Sequence, residues 1–104
     1  MQLRDLIEAL EKADQTKVVP HGFNNPHSYR GYYEELAFVP AENVTVASML
    51  AAAKSAIGRT FTGWKGGDFT MGEWSNVYLA KIGNTGEELG PRLLAYMLAE
   101  AKDA

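Results

Sequence analysis

Apolar side chains recur at helical spacing in three separate segments of this chain, and this pattern limits its possible folds more than any other feature. In the first segment, apolar residues fall at i, i+3, i+4 and i+7, and charged residues take the other face. The three stripes are Leu3, Leu6, Ile7 and Leu10; Val46, Met49, Leu50, Ala53 and Ile57; and Leu94, Met97, Leu98 and Ala101. We therefore expect three surface helices, each with one apolar face that packs against something else.

The second helix has boundary signals at both ends. Thr45 precedes its stripe and is an N-cap type of residue, whose side chain accepts a hydrogen bond from the first turn. Val44 and Met49 stand at the two positions of a hydrophobic staple. Gly58 follows where a residue with left-handed backbone commonly ends a helix. The sequence thus predicts both the start and the end of this helix.

The first and last helices have simpler signals. The first is expected to end near residue 13 or 14, where its apolar stripe stops. Pro91 fits the first position of the last helix, because a backbone N–H there would have no partner inside the helix. Thr85 and Glu88 match a capping box. We therefore expect residues 83–90 to be a polar loop that caps the last helix.

The segments between the helices read as short strands, because they are rich in β-branched and aromatic residues and are bounded by Gly and Pro. Pro20 indicates an edge strand or a strand end, and Pro40 closes the next strand. Residues 23–31 are expected to form a loop and residues 63–67 a turn. The predicted strands are residues 17–21, 32–39, 59–62, 68–71 and 76–82.

The element order is therefore α-β-β-α-β-(β)-β-α within one domain, residues 1–104. Neighbouring strands joined by loops favour antiparallel pairing. We predict an α+β fold with a small antiparallel sheet of about four strands and helices packed on one face.

Composition narrows the classes of function. The net charge of −3 argues against a general nucleic-acid binder, although a small anion needs only a local basic cluster. The chain has no cysteine, which excludes disulfides, thiolate metal sites and cysteine nucleophiles. The first residues lack the apolar core of a signal peptide, and no apolar run approaches the roughly 20 residues that span a bilayer. We expect a cytoplasmic protein with no membrane partner.

The stretch from residue 21 to residue 33 is the most unusual part of the sequence, because it holds both histidines, an arginine and three tyrosines. Arginine offers a planar fork to a phosphate or carboxylate, and tyrosine offers a ring with a hydroxyl at its rim. The candidate ligand-binding residues are His27, Ser28, Tyr29, Arg30 and Tyr32. The alternative is a structured loop in which Arg30 pairs with Glu34 or Glu35.

A second candidate stretch is residues 59–67. Arg59 and Lys65 bring positive charge, Trp64 a stacking plane, and the amides near residues 66–67 an anion nest. The spacing of a Walker loop is absent. A tight hairpin with an exposed tryptophan explains the same residues without a ligand and is the simpler interpretation.

The residue inventory favours binding over catalysis. A Ser28–His27 pair lacks an orienting carboxylate in any recognisable pattern. His21 and His27 with a nearby glutamate make only a weak metal pattern, so we expect neither a metal nor a cofactor. His27 as a general base on a nucleotide remains the enzymatic alternative.

Residues 25–38, which begin Asn-Pro-His-Ser-Tyr-Arg-Gly-Tyr, together with residues 40–46 and 58–67, resemble small uncharacterised proteins of bacteriophages and prophages. The resemblance covers most of the chain and implies a setting but no catalytic residues. Small phage accessory proteins are often counter-defence factors, and one class, the Thoeris anti-defence sponges, sequesters cyclic ADP-ribose signals. The resemblance thus implies a protein that acts in the host cytoplasm.

Two hypotheses follow. In the first, the chain binds and sequesters a small anionic, nucleotide-like signal without catalysis, in a site that also involves Arg59, Trp64 and Lys65. In the second, it inhibits or adapts a host defence protein through aromatic anchors, since Tyr, Trp and Arg dominate binding hot spots. Those anchors are Tyr32, Tyr33, Trp64 and Trp74. Either site could be completed by a second copy in a homo-oligomer.

Overall fold

The computed structural model describes all 104 residues. It contains three helices and six strands, in the predicted α+β class. In chain order they are α1 (Leu3–Lys12), β1 (Val18–Ser28), β2 (Leu36–Thr45), α2 (Val46–Ala56), β3 (Thr60–Thr62), β4 (Asp68–Thr70), β5 (Val77–Leu79), β6 (Glu87–Glu88) and α3 (Pro91–Ala99). None of the helices has the length and apolar character needed to cross a membrane.

Four strands form one sheet in the order β1-β2-β5-β6, and β3 with β4 forms a separate antiparallel hairpin. The pairs β1–β2 and β5–β6 are antiparallel, as expected. The central pair, β2–β5, is parallel, so the sheet is mixed and not wholly antiparallel. A parallel pair needs a crossover connection. Here α2 and the β3–β4 hairpin supply it, because both lie between β2 and β5 in the chain.

One core of 18 buried residues joins all three helices to one face of the main sheet, as the apolar stripes predicted. Leu36 and Phe38 of β2 belong to it, whereas Ala37 between them belongs to a small cluster with Tyr29 and Ala80. Alternate residues of a strand point to opposite faces. The small cluster therefore lies on the face without helices, and the candidate site is built beside it.

The helix signals of α2 are confirmed. The Thr45 hydroxyl accepts a hydrogen bond from the Ser48 N–H at 3.1 Å, and Gly58 has a left-handed φ of 73°. The last residues of two predicted stripes, Ile57 and Ala101, lie past the ends of α2 and α3. Ile57 is exposed.

The start of α3 differs in part from the prediction. Pro91 is its first residue, as expected, but its N-cap is Gly90, which has no side chain to cap it. Glu88 lies in β6 opposite Tyr78. The Thr85–Glu88 capping box is therefore wrong, because pairing with β5 holds this segment in an extended conformation before the helix begins.

The first hairpin also differs from the prediction. Residues 23–28, expected to be a loop, continue β1, and β2 begins at Leu36 and runs past Pro40. A register shift between Asn24 and Pro26, with Asn25 at a φ of 44°, absorbs Pro26. Pro40 is tolerated because β5 pairs with β2 only as far as Phe38, which leaves one edge of β2 free at Pro40. Pairing along the long hairpin thus overrides the local signals of both prolines.

Candidate functional site

The turn from Tyr29 to Glu35, between β1 and β2, is the centre of the candidate site. Tyr29 is buried and stacks on Tyr78 of β5, with ring centroids 4.0 Å apart and planes 5° from parallel. Its hydroxyl donates to the carbonyl of Gly86 at 3.0 Å and accepts from the Gly86 N–H at 3.2 Å. Tyr29 therefore fastens this turn to the loop between β5 and β6.

His27 and Ser28 are also buried and bonded within the chain. The Nε2 of His27 lies 2.8 Å from the carbonyl oxygen of Ala80, and its Nδ1 lies 3.1 Å from that of Ser28. The Ser28 hydroxyl donates to the carbonyl of Tyr33 at 2.7 Å. These polar atoms build the turn, and neither residue lines the pocket described below.

Arg30 and Trp64, from the two stretches that the sequence singled out, meet in the structure. The guanidinium carbon of Arg30 lies 5.1 Å from the centroid of the Trp64 ring, within the range of a cation–π contact. The same guanidinium donates to the carbonyl of Gly83 at 2.7 Å. Three loops, from the β1–β2, β3–β4 and β5–β6 connections, therefore join at one cluster, which we call the Arg30–Trp64 cluster (Arg30, Trp64 and Gly83).

Gly83 allows this contact because it has no side chain. A Cβ built at Gly83 would lie 2.6 Å from the Trp64 ring, and the backbone there has a φ of 80°. Both the space and the left-handed conformation favour glycine. The sequence predicts a polar loop around Gly83, and no local signal connects this glycine with an arginine 53 positions earlier.

A pocket of about 260 Å³ opens beside the cluster. The turn forms one side of it, and Phe69 of β4 forms the other, with its ring centroid 5.9 Å from that of Tyr33. The Tyr32 hydroxyl donates to Oε2 of Glu34 at 3.2 Å, and this bond, with the charge of Glu34, raises the pKa of Tyr32. The lining residues are Arg30, Gly31, Tyr32, Tyr33, Glu34 and Phe69.

The alternative interpretation, in which Arg30 pairs with Glu34 or Glu35, is wrong on this pairing. None of the ion pairs in the structure includes Arg30, Glu34 or Glu35. The Glu35 carboxylate instead accepts a hydrogen bond from the backbone N–H of Asn76. Trp64 and the Gly83 carbonyl hold the guanidinium.

The other two basic residues predicted for the site lie at different distances from it. Lys65 is exposed in the turn next to Trp64 and forms no ion pair within 4.0 Å. Arg59 precedes β3 and stacks on Phe61 at 4.7 Å, with roughly 10 Å of strand between it and the turn. Lys65 therefore adjoins the Arg30–Trp64 cluster in sequence, whereas Arg59 lies at the other end of the hairpin.

Two further features concern the wider surface. No group of three or more His, Asp or Glu side chains is placed to hold a metal ion. A larger groove, about 430 Å³, lies between α3 and the outer part of the sheet, and sequence reasoning did not identify it. Its lining residues are His21, Pro40, Leu79, Gly86, Glu87, Leu93, Tyr96 and Met97.

Comparisons with known proteins give no information on the function of this chain. No protein-family model matches the chain, and no curated protein and no solved structure matches it.

Proposed function

We propose that this chain is a non-catalytic binding protein whose ligand is a small anion that carries a flat ring, as a nucleotide does. The observation that carries the proposal is the contact between Arg30 and Trp64 beside a pocket of about 260 Å³. It puts a fixed positive charge and an aromatic plane together, at the place where three loops meet.

Arg30 has the properties of an anion anchor. Its guanidinium has five N–H donors. One of its terminal nitrogens bonds Gly83, and it has no carboxylate partner within 4.0 Å. Contact with the Trp64 ring restricts its rotamers, which lowers the entropy lost on binding. The remaining donors suit a phosphate or carboxylate, because the guanidinium fork matches two oxygen atoms at once.

Trp64 supplies the ring-binding surface. Its side chain is 58% exposed although it contacts Arg30 and the backbone of Gly83. A base stacked on an aromatic side chain gains about 1–3 kcal/mol without any requirement for one particular base. The anchor and the stacking plane together favour a nucleotide over a simple inorganic anion.

The phage resemblance extends this proposal to a biological role. On that resemblance, the ligand is a host signal such as a cyclic ADP-ribose, and the protein acts in the host cytoplasm by holding the signal away from its receptor. Sequestration requires tight binding and no turnover.

The test is thermal unfolding of the purified protein against linear and cyclic ADP-ribose forms, mononucleotides and cyclic oligonucleotides. A ligand at about 100 times Kd is expected to stabilise the fold by about 2.7 kcal/mol, and each kcal/mol raises Tm by roughly 4–8 °C. Arg30→Ala is expected to abolish the shift. Arg59→Ala is the matched control, because Arg59 also stacks on a ring but lies away from the pocket.

The fate of the ligand separates binding from catalysis. A sequestering protein returns the ligand intact after denaturation, whereas an enzyme returns it altered. An equal Tm shift in wild type and Arg30→Ala would contradict the proposed anchor.

A protein partner is the second candidate function, because four large aromatic side chains are more than half exposed: Tyr32, Trp64, Trp74 and Tyr96. Exposed aromatic residues near arginine are common at the centres of interfaces. Two results together would favour this function. One is a folded protein that shows no Tm shift with any nucleotide, and the other is specific capture of one host protein that Trp64→Ala abolishes.

A further inference from the structure

Arg30 and Glu34 line the same small pocket and form no ion pair. Arg30 is held by Trp64 and by the Gly83 carbonyl. Glu34 is held by the hydroxyl of Tyr32. The turn therefore keeps two opposite charges apart around one pocket.

The Glu34 carboxylate has hydrogen-bond acceptor sites that no other side chain of the protein uses. An ionised carboxylate has about four acceptor sites, and Tyr32 is the only side chain that donates to it. No lysine or arginine lies within 4.0 Å of it. It would repel a ligand that is anionic throughout, and it would accept hydrogen bonds from a ligand that carries hydroxyl donors a short distance from its anionic group.

The size of the pocket limits what it can enclose. Its volume of about 260 Å³ is just below the 300–1,000 Å³ that is typical of sites for drug-sized ligands. A sugar with one phosphate is a better match to this space than a whole nucleotide. A base attached to that sugar would lie outside the pocket, where the exposed ring of Trp64 offers a stacking surface.

We infer that Glu34 makes the site selective for ligands with a vicinal diol near their anionic group, so that the ligand class is that of ribose phosphates and ribonucleotides. In this arrangement Arg30 binds the phosphate and Glu34 accepts hydrogen bonds from the two ribose hydroxyls. The inference rests on the proposed function, since it assigns a second specificity residue to the same pocket.

Calorimetric titration with AMP and with 2′-deoxy-AMP tests the inference, because the two probes differ only in one hydroxyl of the diol. We expect wild type to bind AMP about tenfold tighter than the deoxy form, as one lost hydrogen bond to a charged group implies. In Glu34→Ala we expect both probes to bind more weakly, and AMP to lose more affinity because it loses two hydrogen bonds and the deoxy form loses one. The two affinities should then agree within about threefold. Glu42→Ala is the matched control, because Glu42 is an exposed glutamate of β2 outside the pocket.

The outcomes separate the two proposals. Equal binding of AMP and 2′-deoxy-AMP by wild type would overturn the diol inference and leave the proposed function standing. A preference for AMP that persists in Glu34→Ala would also overturn it. If wild type binds neither probe nor any other nucleotide in the thermal panel, both proposals are overturned. Because Glu34 is exposed, its variants are expected to keep the Tm of wild type.

Discussion

Two histidines of the same strand show how position changes the role of a residue type. His27 is buried, and each of its ring nitrogens faces a backbone carbonyl, whereas His21 is exposed at the rim of the groove beside α3. In the sheet, Ala37 is the register partner of both His27 and Tyr78, and its small side chain separates the two larger ones on the face without helices. His27 thus links β1 to the end of β5 across β2.

Replacement of His27 tests this structural role. We expect His27→Ala to lower the free energy of unfolding by about 1–3 kcal/mol, because the carbonyl of Ala80 loses its buried donor. His21→Ala, on the same strand but exposed, is expected to change it by less than about 0.5 kcal/mol. Urea titration of the two variants measures the difference. Equal stabilities would mean that the His27 contacts contribute nothing to the fold.

At the scale of elements, loops and not strands bring the candidate site together. The turns after β1 and β3 and the loop after β5 are far apart in sequence, and they meet because a tryptophan ring lies directly on a glycine backbone. Gly83 and Gly66 both have left-handed backbones, with φ of 80° and 85°. Only Gly83 has a side chain close to where its Cβ would be.

Alanine at these two glycines separates backbone strain from loss of the loop contact. Both Gly83→Ala and Gly66→Ala are expected to cost about 1–2 kcal/mol, because alanine adopts the left-handed region at that cost. Only Gly83→Ala should displace Trp64 and weaken ligand binding. Tryptophan emission in a Trp74→Phe background reports the displacement, since Trp64 is then the only tryptophan. The same emission from both variants would contradict the proposed packing of Trp64 on Gly83.

For the whole molecule, stability depends on a single core that all three helices share. Phe23 and Phe38 are fully buried in it, with ring centroids 4.6 Å apart, and they join the two long strands. A domain of this size has a net stability of only about 5–15 kcal/mol. One large apolar side chain therefore accounts for a considerable part of it.

Truncation of Phe38 tests the dependence on this core. We expect Phe38→Ala to cost about 3–5 kcal/mol, through lost burial and the cavity that remains. Ile82→Ala is the control, because Ile82 is 67% exposed and its loss should cost less than about 0.5 kcal/mol. Denaturant titration compares the two. Phe38→Leu keeps most of the apolar volume and should lie between them, which allows a measurement even if the alanine variant does not fold. A Phe38→Ala stability within error of Ile82→Ala would refute the shared core.

The sequence by itself determined the three helices and the α+β class. The signals for these are local: apolar spacing within about two turns, the Thr45 hydroxyl within reach of the Ser48 N–H, and Pro91 at the first position of α3. It also singled out Arg30 and Trp64 by residue type. The predictions of the helices and of the fold class succeeded because each depends on neighbours along the chain.

Only the tertiary structure decided the strand pairing and the composition of the site. The parallel β2–β5 pair depends on where the crossover returns, and the extension of β1 through Ser28 depends on its pairing with β2. That extension turned His27 and Ser28 from expected loop ligands into buried parts of the sheet. Contact between Arg30 and Trp64 needs Gly83, more than 50 residues after Arg30. Such long-range contacts form only when the whole core is packed. They join segments that are far apart in the sequence, and no local pattern in one segment indicates which other segment it contacts.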